Sequence, residues 1–155
     1  MFTRLPTKSE GILIESRDEG EEARNSTAGR ADPSRPCILL VEDDFLVGME
    51  VEAGLQEAGY EVAGVAATAD EAVALAAARR PALVVMDIRL ASERDGVDAA
   101  IEIFRTLGIR SIFASAHGDA RIRARAEAAQ PLGWVAKPYR VETLVKAVRE
   151  ALRGL

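Results

Sequence analysis

Residues 37–44 read CILLVEDD, an apolar run closed by three consecutive carboxylates, Glu42, Asp43 and Asp44. One strand–helix unit later a second run, Ala82 to Met86, is closed by a lone carboxylate, Asp87. If both runs are parallel strands, their carboxyl ends open on the same edge, where doubly wound sheets build ligand sites. Four carboxylates then converge on one crevice. Two unit charges about 4 Å apart repel by about 4 kcal/mol at an effective dielectric of about 20, so such a cluster needs a cation. Magnesium, hard and oxygen-seeking, is the expected ion.

Outward from these runs, short apolar segments alternate with helical patterns. Cys37–Val41 leads to a helix from about Phe45 to Ala58, with Gly59 as its C-terminal cap. A strand near Glu61–Ala66 leads to a helix opened by a capping box of Thr68 and Glu71 and ended by Arg80 and Pro81. Ala82–Met86 is apolar throughout, as a central parallel strand should be. Then follow a helix from about Val97 to Leu107 stopped by Gly108, a strand Ser111–Ala114, a helix Asp119–Ala129, a strand Trp134–Ala136 and a helix Val141–Arg153. Five strands alternating with five helices predict an α/β fold, a doubly wound parallel sheet in a three-layer sandwich.

The chain of 155 residues is 48% hydrophobic, enough for one domain with a real core. A formal charge of −5 gives no support for direct DNA binding. Cys37 is the sole cysteine, so no internal disulfide forms, and its place in an apolar strand suits a small buried hydrophobe better than a nucleophile. The apolar runs fall short of a membrane span and the N-terminus lacks a signal-peptide core, so the expectation is a cytoplasmic protein with no membrane contact. Residues 1–36 crowd Glu, Asp, Arg, Ser, Gly and Pro between Glu15 and Pro36, which predicts a flexible N-terminal extension ahead of a domain over 37–155. Its apolar patch, Ile12 to Ile14, reads as a transient strand or docking element, or as part of a tail without a role.

Each polar candidate follows a strand: the acidic triplet after the first, Asp87 after the third, Ser115 after the fourth, Lys137 after the fifth. Singly these are weak signals, since a Ser at a strand end is often a helix cap and a Lys beside carboxylates a plain ion pair. In combination, with ILLVEDD, VVMD, the Asp95–Gly96 turn, FASAHG and WVAKPY in this order, residues 37–155 resemble the receiver domain of bacterial two-component response regulators. The resemblance implies a flavodoxin-like (βα)5 fold with strand order 2-1-3-4-5. It also implies a phosphoprotein in a phosphorelay, whose aspartate accepts a phosphoryl group from a histidine kinase or a histidine phosphotransfer protein. Asp87 is then the phosphoacceptor, Glu42 and Asp43 the acidic pair, Ser115 the switch hydroxyl and Lys137 the partner of acceptor and phosphoryl group. Mg2+ takes Asp43, Asp87 and the Arg89 backbone carbonyl as ligands, with Glu42 acting through water. Asp44 is assigned to local charge or helix capping, and the Lys137–Pro138 bond is expected to be cis.

In signalling terms the resemblance implies that Ser115 is drawn to the phosphoryl group and that Trp134 moves into the vacated space. Trp134 also has a plain reading, as a partly buried core or interface aromatic. The readout face is the fourth helix, fifth strand and fifth helix, carrying Arg121, Arg123 and Arg125, either a solvated surface or a contact for an acidic partner. A downstream protein target, and a homodimer on activation through this face, are the partners implied. No enzyme activity is expected beyond catalysis of the domain's own phosphorylation and dephosphorylation.

Several residues depart from the family pattern. Ala91 stands where many receivers have proline, the Ala91–Arg94 loop is slightly long, and Ser115 replaces the commoner threonine. Arg89 and His117 are expected to face the phosphoryl group, and the hypothesis is that they pair with it, hinder the attacking water and prolong its life. An Arg89→Ala protein that dephosphorylates no faster counts against this. A haloacid-dehalogenase-type enzyme needs a second aspartate two residues past the nucleophile, where this chain has Arg89, which cannot act as a base. A nucleotide- or flavin-binding domain needs a glycine- or hydroxyl-rich loop after the first strand, where this chain has EDDF. Two rivals stay open: a docking module that is never phosphorylated, and a phosphate sink without a target of its own.

Overall fold

The structure is a computed structural model and describes residues 34–116 and 119–155. The expectations for residues 1–33, including the Ile12–Ile14 patch, and for His117 lie outside the described residues.

Five parallel strands form one sheet in the order β2-β1-β3-β4-β5. They are β1 Cys37–Val41, β2 Glu61–Ala66, β3 Leu83–Asp87, β4 Ser111–Ser115 and β5 Gly133–Ala136. The crossovers are α1 Phe45–Glu57, α2 Ala69–Arg79, α3 Gly96–Leu107 and α4 Ala120–Ala126, the last continued by a 3₁₀ turn over Glu127–Ala129; α5 Val141–Arg153 follows β5. Alternation along each strand splits the apolar residues between two cores. Leu39, Val41, Val84, Met86 and Phe113 pack with α2, α3 and α4, while Ile38, Leu40, Leu83, Val85 and Ile112 pack with α1 and α5. Each fully buried side chain of this kind stabilises the fold by about 1.5–3 kcal/mol. This is the three-layer sandwich expected from the alternation, with the flavodoxin-like strand order that the resemblance implies.

The differences from the expected elements have local causes. β3 begins at Leu83, where the ladder to Ile38 opens, and it runs through Asp87, whose backbone still pairs with Ala114. β4 likewise extends to Ser115, opposite Ala136. Hydrogen-bond ladders, not apolarity, end these strands. At α2, Thr68 Oγ1 accepts from the Glu71 N–H, but the Glu71 carboxylate reaches back to the Ala67 N–H instead of closing the box on Thr68. A full capping box opens α3, between Asp95 and Asp98. Cys37 is half-buried against the α2–α3 core; burial and the neighbouring Glu61 push its thiol above the ordinary range, which disfavours the thiolate.

Candidate functional site

The strand register assembles the site. Val41 lies opposite Met86, so the next residues, Glu42 and Asp87, are neighbours at the sheet edge. Ser115 lies opposite Ala136, and the Lys137 N–H donates to the Ser115 carbonyl at 2.8 Å. Glu42, Asp43, Asp87, Arg89, Ser115 and Lys137 therefore line one hollow of about 290 Å³. The sequence-predicted residues that fall within the described part meet there, except Trp134, which lies on β5 away from the hollow.

Carboxylate oxygens of Glu42, Asp43 and Asp87 lie within 4.8 Å of one another. Glu42 and Asp87 are buried, 5% and 7% exposed, whereas Asp43 is open to solvent. Lys137 Nζ donates to Glu42 Oε2 at 2.7 Å and to Asp87 Oδ2 at 3.0 Å. The contact with Glu42 was not foreseen, because no sequence spacing relates residues 95 positions apart. Glu42 Oε1 also accepts from the Asp44 N–H, and Asp87 Oδ1 from the Arg89 N–H. Both buried carboxylates are thus held at both oxygens. Asp44 is the α1 N-cap, its side chain accepting from the N–H groups of Leu46 and Val47, as the capping reading expected. The Lys137–Pro138 peptide is cis.

Three carboxylates against one ammonium leave a formal local charge of −2 (−3 + 1), which a divalent cation balances. Opposed oxygens around an octahedral magnesium stand about 4.2 Å apart. A cluster reaching 4.8 Å fits this ion when one contact runs through water or the exposed Asp43 side chain closes slightly.

Burial alone would lower the Lys137 pKa, but the hydrogen bonds to Glu42 and Asp87 outweigh it and hold the ammonium above its ordinary value. The stability it contributes is complete below its unfolded value of about 10.4 and is lost as pH rises through the higher folded value. Lys137→Met is expected to flatten this alkaline limb in urea titrations above about pH 10. A variant curve that parallels the wild type there would separate the ammonium from these carboxylates.

Behind the acceptor, Gly96 starts α3 against the Asp87 backbone. A Cβ at this position would stand 1.8 Å from the Asp87 carbonyl oxygen, and the Gly96 N–H donates to the Ile88 carbonyl at 2.8 Å. The loop before it is fixed by Ser92, which accepts from the Ala69 N–H and donates to the Arg94 carbonyl, and by Arg94, which pairs with Asp70 and Glu102.

Sequence reasoning missed an apolar patch on α1. Phe45, Leu46 and Met49 are 75%, 75% and 53% exposed, and Phe45 and Met49 share a second hollow with Glu42 and Asp43. The signal was present: the acidic triplet runs straight into Phe-Leu, two large apolar residues in the first turn of a helix whose opposite side faces the core. Among the described residues no helix is long and apolar enough to cross a membrane.

The response regulator receiver domain family matches residues 38–149. The transcriptional regulatory protein PdtaR of Mycobacterium tuberculosis is 34% identical over 115 residues, 74% of this chain and 56% of PdtaR. The phyllosphere-induced regulator PhyR of Methylorubrum extorquens is 34% identical over 116 residues, 74% of this chain and 43% of PhyR. The chain thus spans about half the length of these relatives. Among solved structures, the signal receiver domain of a modulated diguanylate cyclase from Desulfovibrio desulfuricans G20 superposes with a TM-score of 0.71 at 32% identity, covering 77% of this chain and 95% of that one.

Proposed function

The chain belongs to the response regulator receiver domain family, and from that premise we propose that it accepts a phosphoryl group on Asp87 from a phosphohistidine donor and signals through α4, β5 and α5. The observation that carries this reading is the meeting of Asp87, two further carboxylates, Lys137 and Ser115 in one hollow. An Asp87 carboxylate oxygen attacks phosphorus in line, the P–N bond to the donor imidazole breaks, and its electron pair leaves with the imidazole. Glu42, Asp43, Asp87 and the Arg89 carbonyl would hold Mg2+, which supplies charge neutralisation for the phosphoryl oxygens. Lys137 passes from Asp87 to one phosphoryl oxygen and the Ser115 hydroxyl donates to another. Arg89, on the rim, pairs with the phosphoryl group and slows attack by water.

The donor would be a histidine kinase or histidine phosphotransfer protein. The exposed Phe45, Leu46 and Met49 border the acidic hollow and offer it an apolar contact that brings its imidazole to Asp87. The downstream protein target would read the α4–β5–α5 face.

Incubation with acetyl phosphate and Mg2+, followed by intact mass measurement, is expected to add one phosphoryl group, and removal of the metal with EDTA to suppress the addition by about 100-fold or more, the scale of losing a charge-stabilising group. Equal labelling with and without metal would break the link to the acidic cluster. No labelling from any donor would favour a docking module that binds partners unphosphorylated.

A further inference from the structure

Trp134 is the sole tryptophan, and it is held from two sides. Its ring stacks on the fully buried Phe113, with centroids 4.8 Å apart and planes inclined by 25°. From the solvent side the Arg123 guanidinium lies over the indole, 4.5 Å from the ring centroid. Arg123 belongs to α4, a helix of only seven residues. Ile122, the residue before it, lines the acidic hollow together with Asp87 and Ser115. On another flank of α4, Arg125 pairs with Asp95, the N-cap of α3, which directly precedes the Gly96 that abuts the Asp87 backbone. Successive helix positions differ by about 100°, so residues two apart point to nearly opposite sides. α4 is therefore pinned to β5 by Arg123 and to the α3 N-terminus by Arg125, while Ile122 between them faces the phosphorylation hollow.

We propose that Arg123 is a latch: by closing over Trp134 it holds α4 on β5 in the unphosphorylated protein, and phosphorylation of Asp87 must release it. This rests on the function proposed above. A state that the latch disfavours becomes easier to reach when the latch is removed, because a ligand shifts an equilibrium only against the free-energy gap between the states. An exposed cation–π contact corresponds to about a two- to fivefold change in such an equilibrium. Arg123 lies at the surface, so its removal leaves both cores intact.

The test compares wild type, Arg123→Ala and Arg121→Ala, the last removing the same charge from the same helix on a different side. Acrylamide quenching of Trp134 emission is measured without phosphodonor, and the acetyl phosphate concentration giving half-labelling is read by intact mass with Mg2+ present. Arg123→Ala is expected to expose Trp134 to quencher and to lower the half-labelling concentration about two- to fivefold, with Arg121→Ala matching the wild type in both. Unchanged quenching in Arg123→Ala overturns the latch, and so does greater quenching with unchanged labelling. Equal effects in both variants overturn it in favour of net charge. Failure of all three proteins to take up phosphate overturns the phosphoacceptor reading itself, and the latch with it.

Discussion

An Asp87→Ala protein incubated with Mg2+ and acetyl phosphate is expected to take up no phosphoryl group while remaining folded. The chemical half of this expectation follows from position: Asp87 ends the middle strand β3 beside Ser115 on β4, and of the two buried carboxylates that Lys137 contacts it is the one whose backbone pairs with β4. The stability half follows from charge. Glu42 and Asp87 share the Lys137 ammonium with Asp43 within 4.8 Å of both, and Lys137 has its 2.7 Å contact with Glu42 to retain when Asp87 is removed. Loss of one carboxylate therefore relieves repulsion, and the thermal midpoint without divalent ions should lie at or above that of the wild type. Labelling of the variant to the wild-type level would contradict the assignment. A collapse in stability would contradict the electrostatic account.

Gly96→Val is expected to damage the protein from behind the site. A Cβ 1.8 Å from the Asp87 carbonyl oxygen and 2.8 Å from its carbon meets backbone, which cannot rotate away as a side chain can. Either α3 moves off β3, losing the Gly96–Ile88 hydrogen bond, or Asp87 is displaced. Overpacking of this kind costs about 3 kcal/mol or more when relief is blocked, measurable as a lower urea midpoint. A displacement of about 1 Å in the nucleophile can cost about 100-fold in rate, measurable as slower labelling by acetyl phosphate. A variant equal to the wild type in both would show that α3 does not buttress the acceptor.

Sequence reading reached the elements whose local signals agree. β1 combines an unbroken apolar run with a capped helix start at Asp44, and α5 repeats apolar residues at helical spacing, Val141, Leu144, Val145 and Val148, among charged ones. The strand-end residues were legible because parallel strands share one edge, so Asp87, Ser115 and Lys137 could be placed together before any contact was known. Long-range partners were not legible. The Lys137–Glu42 pair depends on a crossover of β3 between β1 and β4, and the close approach of Gly96 to Asp87 depends on how α3 packs, information no local window holds. The three α4 arginines looked alike in sequence. In the fold Arg123 covers Trp134 and Arg125 pairs with Asp95, because each faces a different neighbour around the helix. The Asp95–Asp98 box was missed because aspartate at the third helical position is a less familiar capping partner than glutamate or glutamine.

The central claim is that one carboxylate, at the end of the middle strand, becomes an acyl phosphate. Borohydride reduces an aspartyl phosphate to homoserine, so treatment of the acetyl phosphate-labelled protein followed by peptide mapping locates the linkage directly. The account predicts homoserine at position 87, with a yield that depends on Mg2+. Homoserine at another position, or a phosphate that resists borohydride as a serine ester would, would contradict it.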